Sequence, residues 1–132
     1  MSNYIYILKL EQGKYYVGKT NNIQRRYMEH LQGIGANWTA KYKPLRLEKL
    51  LPSNNPFDED KYTKLYMTIY GINNVRGGTY VTDYLPNEQI LLLKKEIWSA
   101  IGACVRCGRK GHFYETCFAK NDINGDLILS KK

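Results

Sequence analysis

Apolar and polar residues alternate at the start of the chain in the way that a β-hairpin requires. Residues 4–10 (YIYILKL) are rich in aromatic and β-branched side chains, and 15–19 (YYVGK) repeat this composition after the Gly-containing stretch EQGK at 11–14. Such runs on either side of a short turn favour two antiparallel strands. A third run at 45–51, flanked by two prolines, predicts another strand. These segments together predict a small three-stranded antiparallel sheet.

Three other segments show the three- and four-residue spacing of apolar side chains that is typical of helices. The first runs to about residue 32 behind a cap at Asn21 or Asn22, the second covers about 57–70, and the third covers 86–102. The stretch 33–44 lacks this period and is predicted to be a loop. The fold class predicted from the pattern is therefore α+β, with helices flanking the sheet.

The order of these segments predicts one ordinary domain followed by a small module. We assign residues 1–85 to the main domain and 86–102 to a linking helix that packs on it. Residues 103–118 form the small module, and 119–132 form a C-terminal tail. A chain of 132 residues is long enough for this arrangement.

Charge favours a polyanionic partner. The chain carries 20 Lys and Arg against 12 Asp and Glu, which gives a net charge of +8, although positive charge also serves solubility. The N-terminus lacks the features of a secretory signal, and no apolar run approaches the roughly 18 residues that a membrane span needs. We expect an intracellular protein of a reducing compartment, either cytoplasm or nucleus, with viral origin left open and without membrane contact.

All three cysteines of the chain lie in one short stretch with a histidine. Cys104, Cys107, His112 and Cys117 follow the spacing C-x2-C-x4-H-x4-C. An odd number of cysteines cannot pair completely, whereas three thiolates and one imidazole fill the tetrahedral shell of Zn²⁺ and leave no position for water. The spacing therefore predicts a structural zinc site, and the alternative is a chance match of three buried cysteines and a surface histidine.

This stretch resembles the CCHC zinc knuckle. The resemblance implies binding of single-stranded nucleic acid, with Arg106, Arg109 and Lys110 near phosphates. Val105 and Phe113 would form the apolar platform for bases. The alternative is a knuckle that only holds a terminus or contacts a protein.

Two tyrosine motifs on the predicted hairpin resemble the signature of the GIY-YIG nucleases. They are YIY at 4–6 and YVG at 16–18, with Tyr4 where the family usually has Gly. The following stretch, GKTNNIQRRYMEH, is similar to the next block of the family, and the resemblance extends through roughly the first 90 residues. The ordered residues that carry it are Tyr6, Tyr16, Gly18, Asn22, Arg26 and His30.

The resemblance implies hydrolysis of DNA phosphodiesters with one divalent metal ion, Mg²⁺ or Mn²⁺, held by a glutamate. Tyr6 would act as general base and Tyr16 would orient the water or the phosphate. Arg26 would contact phosphate oxygens, and His30 would transfer or position a proton. A phenol has a pKa near 10, so Tyr6 needs a nearby cation to act as a base. Taken singly, the tyrosines could be a cross-strand pair and the helical residues a solvated face.

The metal-binding carboxylate is sought in PFDEDKYTKLYM. Glu59 stands three residues before Tyr62 and fits the family pattern best, while Asp58 and Asp60 remain open. The alternative is that all three acidic residues only stabilise the N-terminus of their helix.

Several polar residues around this core are predicted to contact the nucleic acid. The Gly-rich segment 70–80 can present backbone amides to a phosphate through Gly77 and Gly78. Trp38 suits either the core or the substrate. The other predicted contacts are Lys19, Asn22, Asn74 and Arg76.

The sequence thus predicts a metal-dependent DNA endonuclease whose zinc knuckle aids binding of single-stranded or branched DNA. One alternative is a nucleic-acid-binding module without catalysis on the same fold. Another is a protein-interaction adaptor, whose binding to nucleic acid would be weak and insensitive to salt.

Overall fold

A computed structural model describes residues 3–128. The chain divides into two compact units, with the boundary between Leu85 and Pro86. The final part of the predicted tail, residues 129–132, lies outside the described residues. Along the described chain, no helix is both long and apolar enough to cross a membrane.

The first unit is built on a four-stranded mixed sheet. Its strands are β1 (Tyr4–Leu10), β2 (Tyr15–Thr20), β3 (Pro44–Pro52) and β4 (Val75–Gly77), in the order β3-β1-β2-β4. β1 pairs antiparallel with β2 and β3, whereas β4 pairs parallel with β2.

The prediction of a three-stranded antiparallel sheet was therefore wrong in the number of strands and in their direction. The missed strand β4 has only three residues and lies in the Gly-rich segment. A run of this length carries no readable period, and its strand conformation depends on pairing with β2. Gly77 permits that pairing, since a side chain there would collide with the backbone of Val17.

Three helices accompany the sheet: α1 (Ile23–Leu31), α2 (Asn37–Lys41) and α3 (Asp58–Tyr70). The predicted Asn cap is confirmed, because Asn22 Oδ1 accepts a hydrogen bond of 3.1 Å from the backbone N–H of Arg25. α1 and α3 were predicted from their apolar spacing, whereas α2 lies in the segment predicted to be a loop.

Tertiary contacts account for the missed helix α2. A five-residue helix is too short to be stable by itself. Trp38 anchors it, since the indole N–H donates to the carbonyl of Tyr15 at 3.0 Å. The Arg76 guanidinium covers the Trp38 ring at 4.7 Å. Trp38 is therefore a core residue, which decides the choice that its sequence context left open.

The two faces of the sheet have separate apolar layers. Tyr6, Leu8 and Tyr16 belong to the cluster that also contains Trp38. Neighbouring residues on a strand point to opposite faces, so Tyr15 lies on the other side. There its ring stacks on Tyr70 of α3 with a centroid separation of 4.2 Å. β1 and β2 are thus covered on both faces, and the first of them carries Tyr6 into the interior.

The second unit contains α4 (Asn87–Ala100) and the loops around the cysteines. The predicted helix is confirmed. Within this unit Gly108 lies directly against the indole of Trp98. Lys94 forms ion pairs with Asp122 at 2.9 Å and Asp126 at 2.7 Å, so the helix is tied to the chain that follows the cysteines. The expected packing of this helix on the first unit stays a prediction.

Candidate active site and Cys/His cluster

Tyr6, Arg26 and His30 meet in the interior of the first unit. The hydroxyl of Tyr6 lies 2.7 Å from His30 Nε2 and accepts a bond of 3.3 Å from Arg26 Nε. Tyr6 and His30 are each 1% exposed, whereas about a third of the Arg26 side chain (30%) reaches solvent. The three residues predicted from the ordered motifs are therefore in direct contact.

The hairpin register explains how Tyr6 reaches α1. Tyr6 lies opposite Gly18 in the β1–β2 pairing. A side chain at Gly18 would collide with the Tyr6 phenol, so the glycine leaves room for the ring to cross β2. On α1, Arg26 and His30 are one helical turn apart and face the same side. A glycine in one strand and a four-residue spacing in the helix thus produce the contact.

Arg26 is a fixed cation at this site. Its guanidinium donates to Glu29 Oε1 and to the carbonyl of Gly35, both at 3.0 Å. Burial lowers the pKa of Arg26, but the hydrogen bonds to Glu29 and Tyr6 raise it above its ordinary value. The guanidinium therefore stays charged, and about a third of the side chain remains accessible.

Burial keeps both Tyr6 and His30 neutral. It raises the pKa of Tyr6 well above 10, and the nearby Tyr16 adds to the increase, while Arg26 opposes it. Burial and the charge of Arg26 lower the pKa of His30 to about 4. Arg26 is the cation that the sequence analysis required beside Tyr6, but desolvation outweighs it. Tyr6 can therefore accept a proton only by giving its own proton to a neighbour.

The neutral His30 predicts a loss of stability in acid. The pKa of His30 falls from 6.5 when unfolded to about 4 when folded, so between these values the unfolded chain binds more protons. The free energy of unfolding should be unaffected by this group above about pH 6.5 and should lose ~3 kcal/mol by pH 4. Chemical denaturation of wild type and His30→Gln measures this, and the variant should show the flatter pH dependence. Parallel curves would contradict the assignment.

The acidic cluster at the start of α3 separates into different roles. Asp58 Oδ2 accepts the backbone N–H groups of Asn54 and Asn55 at 2.9 and 3.1 Å. Asp60 accepts the backbone N–H of Thr79 at 2.9 Å and the Thr79 hydroxyl at 3.3 Å. Both aspartates therefore fix local chain segments.

Glu59 instead belongs to the group around Tyr6. Its negative charge raises the pKa of Tyr6 and of Tyr16. Burial raises the pKa of Glu59 itself, and Lys19, Arg26 and the Gly78 backbone N–H oppose the increase. Glu59 is thus the acidic residue of this cluster that shares an electrostatic environment with both tyrosines and Arg26.

Glu59 suits a hard divalent cation. Mg²⁺ is bound in many proteins by one or two carboxylates, with waters and substrate phosphates completing its shell. A half-buried carboxylate beside two positive side chains matches such a site, and the same cations can meet the oxygens of a phosphate.

Tyr16 completes the aromatic wall of the site. Its ring lies 6.2 Å from Tyr6 and 5.0 Å from His30, between ring centroids, and it is 7% exposed. Burial raises the pKa of Tyr16, and Arg26 opposes the increase. Its position beside Arg26 is compatible with orienting a phosphate or water.

The residues of the first unit that were predicted to touch nucleic acid have different environments. Lys19 is exposed, and its positive charge opposes the increase in the pKa of Glu59. Asn22 uses its side-chain oxygen as the cap of α1. Asn74 accepts from Lys14 Nζ at 2.7 Å and donates to the carbonyl of Tyr70 at 2.7 Å, so its contacts lie where β2 begins.

Arg76 is a structural residue. It is 2% exposed, and its guanidinium nitrogens donate to backbone carbonyls between 2.7 and 3.0 Å. The acceptors are the carbonyls of Ile72, Val75, Thr82 and Asp83. The predicted phosphate contact of Arg76 is therefore corrected, because the side chain is buried and fixes the segment after α3.

The Gly-rich segment also uses its amides internally. The N–H of Gly78 faces Glu59, and the N–H of Thr79 binds Asp60. The segment does present amides to anions, as predicted, but these anions are carboxylates of α3. This contact fixes the start of α3 beside β4.

Sequence reasoning missed Thr39 as a partner of the site. Its hydroxyl lies 2.7 Å from His30 Nδ1, and Thr39 is fully buried. Gly35 closes the same region, since a side chain there would collide with the His30 ring. The motifs gave no signal for either residue, because both lie in the segment that was predicted to be a loop.

The Cys/His cluster of the second unit can hold a metal ion. One donor atom each from Cys104, Cys107, His112 and Cys117 lies within 4.8 Å of the other three, and Cys107 Sγ is 3.3 Å from His112 Nε2. Ligands at tetrahedral Zn²⁺ distances are about 3.5–3.8 Å apart. The donor set and its size therefore fit zinc.

Arg106 supports this cluster. It donates to Cys117 Sγ at 3.3 Å and to the carbonyl of Ala119 at 2.8 Å. Burial alone would raise the pKa of Cys117, but hydrogen bonds from Ala119, Arg106 and His112 lower it to about 6. Arg106 thus favours the thiolate, which is the form that binds metal.

The residues predicted to bind nucleic acid at the knuckle fall into two groups. Arg109 donates to the carbonyls of Asn121 and Asp122 at 2.9 and 3.3 Å, so it holds the following segment, as Arg106 does. Lys110 and Phe113 are exposed, and Phe113 is 64% exposed. The exposed pair remains suited to a ligand, whereas the two arginines have local partners.

Comparison with known proteins agrees with the site in the first unit. Residues 2–59 match the model of the GIY-YIG catalytic domain. No solved structure matches the chain significantly.

Curated relatives match about a third of the chain. A UPF0213 protein of Xanthomonas campestris is 41% identical over 44 residues, which are 33% of this chain and 43% of the relative. The UPF0213 protein of Halalkalibacterium halodurans is 40% identical over 47 residues, 36% of this chain and 50% of the relative. The chain thus spans about half the length of these relatives. The chain is thus similar to the GIY-YIG catalytic domain over residues 2–59, and a Cys/Cys/His/Cys cluster follows the matched segment.

Proposed function

We propose that this protein is a metal-dependent endonuclease that hydrolyses DNA phosphodiester bonds. The observation that carries the proposal is the direct contact of Tyr6 with His30 and Arg26, within the electrostatic influence of Glu59. Each residue type meets a requirement of phosphodiester hydrolysis: removal of a proton from water, stabilisation of charge on the phosphate, and a carboxylate for a divalent ion.

Tyr6 and His30 supply the proton path. An attacking water gives a proton to the Tyr6 oxygen while the Tyr6 hydroxyl proton moves to His30 Nε2. Tyr6 remains a neutral phenol in this step, and His30 becomes the imidazolium. The 2.7 Å contact between the two groups permits the transfer without movement of either ring. Because His30 takes the hydroxyl proton as Tyr6 receives one from water, the buried phenol is never ionised.

The positively charged residues bind the phosphate. Arg26 on α1 is 30% exposed and Lys19 lies near the end of β2, and both lower the pKa of Glu59 through their positive charge. Glu59 would hold Mg²⁺ or Mn²⁺, which when bound stabilises the developing charge on the phosphate oxygens and the leaving oxygen. Tyr16 orients the phosphate or the water between these groups.

The second unit adds affinity for unpaired nucleic acid. Zn²⁺ held by the four clustered ligands would fix the fold of the knuckle. Exposed aromatic residues then offer faces for base stacking, and Lys110 offers charge. Phe118 at 86% and Tyr114 at 44% exposure extend the surface that Phe113 was predicted to form. Three free thiols suit a reducing compartment such as cytoplasm or nucleus.

The proposal predicts cleavage by wild type and a large loss in Tyr6→Phe. The substrates are labelled single strands, duplexes, flaps and four-way junctions, tested with Mg²⁺, Mn²⁺ or neither ion while the zinc is retained. Removing the Tyr6 oxygen should lower the cleavage rate about 10²–10⁴-fold, because the water loses its proton acceptor. Tyr27→Phe is the matched control, since it removes a phenol from half-buried Tyr27 on α1 and should retain the wild-type rate.

The same assay separates the alternatives. Tight, salt-sensitive binding without cleavage by wild type would favour a nucleic-acid-binding module on a nuclease fold. Weak binding that is insensitive to salt would favour the protein-interaction adaptor. Equal rates for wild type and Tyr6→Phe would remove Tyr6 from the mechanism.

A further inference from the structure

We infer that Thr39 is a positioning residue that fixes the protonation pattern of His30, with the proton on Nδ1 and the free electron pair on Nε2. The inference rests on the proposed function for its catalytic meaning, but the tautomer itself is a property of the folded chain. Thr39 is hydrogen-bonded to His30, and through the imidazole it acts on Tyr6.

Hydrogen-bond donors and acceptors around the ring lead to this tautomer. The Thr39 hydroxyl donates to the carbonyl of Ala36 at 3.2 Å, so its oxygen accepts from His30 Nδ1–H at 2.7 Å. Nε2 is then unprotonated and accepts the hydroxyl proton of Tyr6 at 2.7 Å. The chain of bonds runs in one direction, from Tyr6 through His30 and Thr39 to Ala36.

The other tautomer leaves a buried donor without a partner. A proton on Nε2 would point at the Tyr6 oxygen, which already accepts from Arg26 Nε. The hydroxyl proton of Tyr6 would then lose its acceptor, because the contact to His30 would run in the reverse direction. Tyr6 and His30 are each 1% exposed and Thr39 is fully buried, so an unpaired donor among them costs free energy.

Packing holds the ring in the orientation that this pattern requires. A side chain at Gly35 would collide with the ring near Nδ1, so the imidazole fills the space beside that glycine. The Tyr16 ring lies on it with a centroid separation of 5.0 Å. The imidazole thus has little freedom to rotate, and its tautomer depends on Thr39 at Nδ1 together with Tyr6 at Nε2.

The consequence concerns the direction of proton transfer. With Nε2 free, His30 can accept the Tyr6 proton as Tyr6 takes one from water. With Nε2 protonated, this path is closed, although every catalytic residue is present. Thr39 therefore decides whether the Tyr6–His30 pair can act as a base.

The test is the tautomer of His30, read from two-bond ¹H–¹⁵N spectra of the zinc-loaded full chain. The chain has two histidines, and the spectrum of His30→Gln identifies the His30 signals. Wild type should show the Nδ1–H pattern. Thr39→Val has the same shape without the hydroxyl, so it leaves Nδ1–H without an acceptor and should raise the share of the Nε2–H form. Thr39→Ser should retain the pattern of wild type.

An Nε2–H pattern in wild type would overturn the inference, and so would an unchanged pattern in folded Thr39→Val. If Thr39→Val does not fold, wild type and Thr39→Ser still decide the tautomer. Cleavage is the second measurement: Thr39→Val should lose about 10²-fold and Thr39→Ser should stay within a few-fold of wild type. Absence of cleavage in wild type, with the expected tautomer, would contradict the proposed function and leave the tautomer assignment intact.

Discussion

Glu59→Gln is expected to lower the rate of DNA cleavage by about 10³-fold with little change in DNA binding. The substitution keeps the length and shape of the side chain but removes the anionic oxygen that a hard divalent cation prefers. Loss of a metal ion that stabilises the phosphate in the transition state costs several kcal/mol of activation free energy. Single-turnover cleavage in Mg²⁺, with binding measured separately in Ca²⁺, checks both parts of this expectation.

Asp60→Asn is the matched control, because it removes one negative charge from the adjacent position of α3. Asparagine retains an oxygen that can accept the Thr79 N–H, which Asp60 binds at 2.9 Å. Its cleavage rate should remain within a few-fold of wild type. If Asp60→Asn loses cleavage while Glu59→Gln retains it, Asp60 and not Glu59 holds the catalytic ion. Cleavage at the wild-type rate in both variants would exclude Glu59 and Asp60 as ligands of the catalytic ion.

Removal of zinc is expected to unfold the region around the cysteines while the first unit stays folded. The buried cluster there consists of Cys104, Cys107 and Cys117 packed with Ala119 and Ile128, which is too small a core to hold the loops without the ion. Structural zinc contributes about 10–16 kcal/mol of apparent binding free energy in zinc-finger peptides. Backbone amide spectra before and after chelation, together with the zinc content of the purified protein, measure this effect.

The two histidines provide a matched pair of variants. His112→Gln removes a ligand and should reduce the zinc content well below one ion per chain. His30→Gln removes a histidine of the first unit and should leave one ion per chain. A protein that is folded in both units after complete chelation, or a His112→Gln variant that retains its zinc, would contradict a structural role for the metal.

Short motifs were sufficient to select residues that the fold brings together. Tyr6, Gly18, Arg26 and His30 could be selected because strand alternation and the helical turn are local, so their spacing survives in the sequence. The cysteine spacing was sufficient to predict the Cys/His cluster for the same reason, since a tight loop brings its own side chains together. These contacts depend on few distant residues.

Charged residues were harder to assign, because a sequence gives charge but not burial. Arg76 was expected at a phosphate and is instead buried among backbone carbonyls. Arg106 and Arg109 have similar local partners in the second unit. An arginine has five donors, and which groups they meet depends on loops that close far from it in the chain.

The amino-acid sequence by itself determined the hairpin, the long helices, the ordered GIY-YIG residues and the four clustered ligands, because these follow from periods and spacings within a few turns of chain. Only the tertiary structure decided the parallel strand β4, the helix α2 and the partnership of Thr39 with His30. It also distinguished Glu59 from the neighbouring aspartates. Each of these depends on which distant groups are buried together, and burial sets both the hydrogen-bond partners and the pKa values of the site.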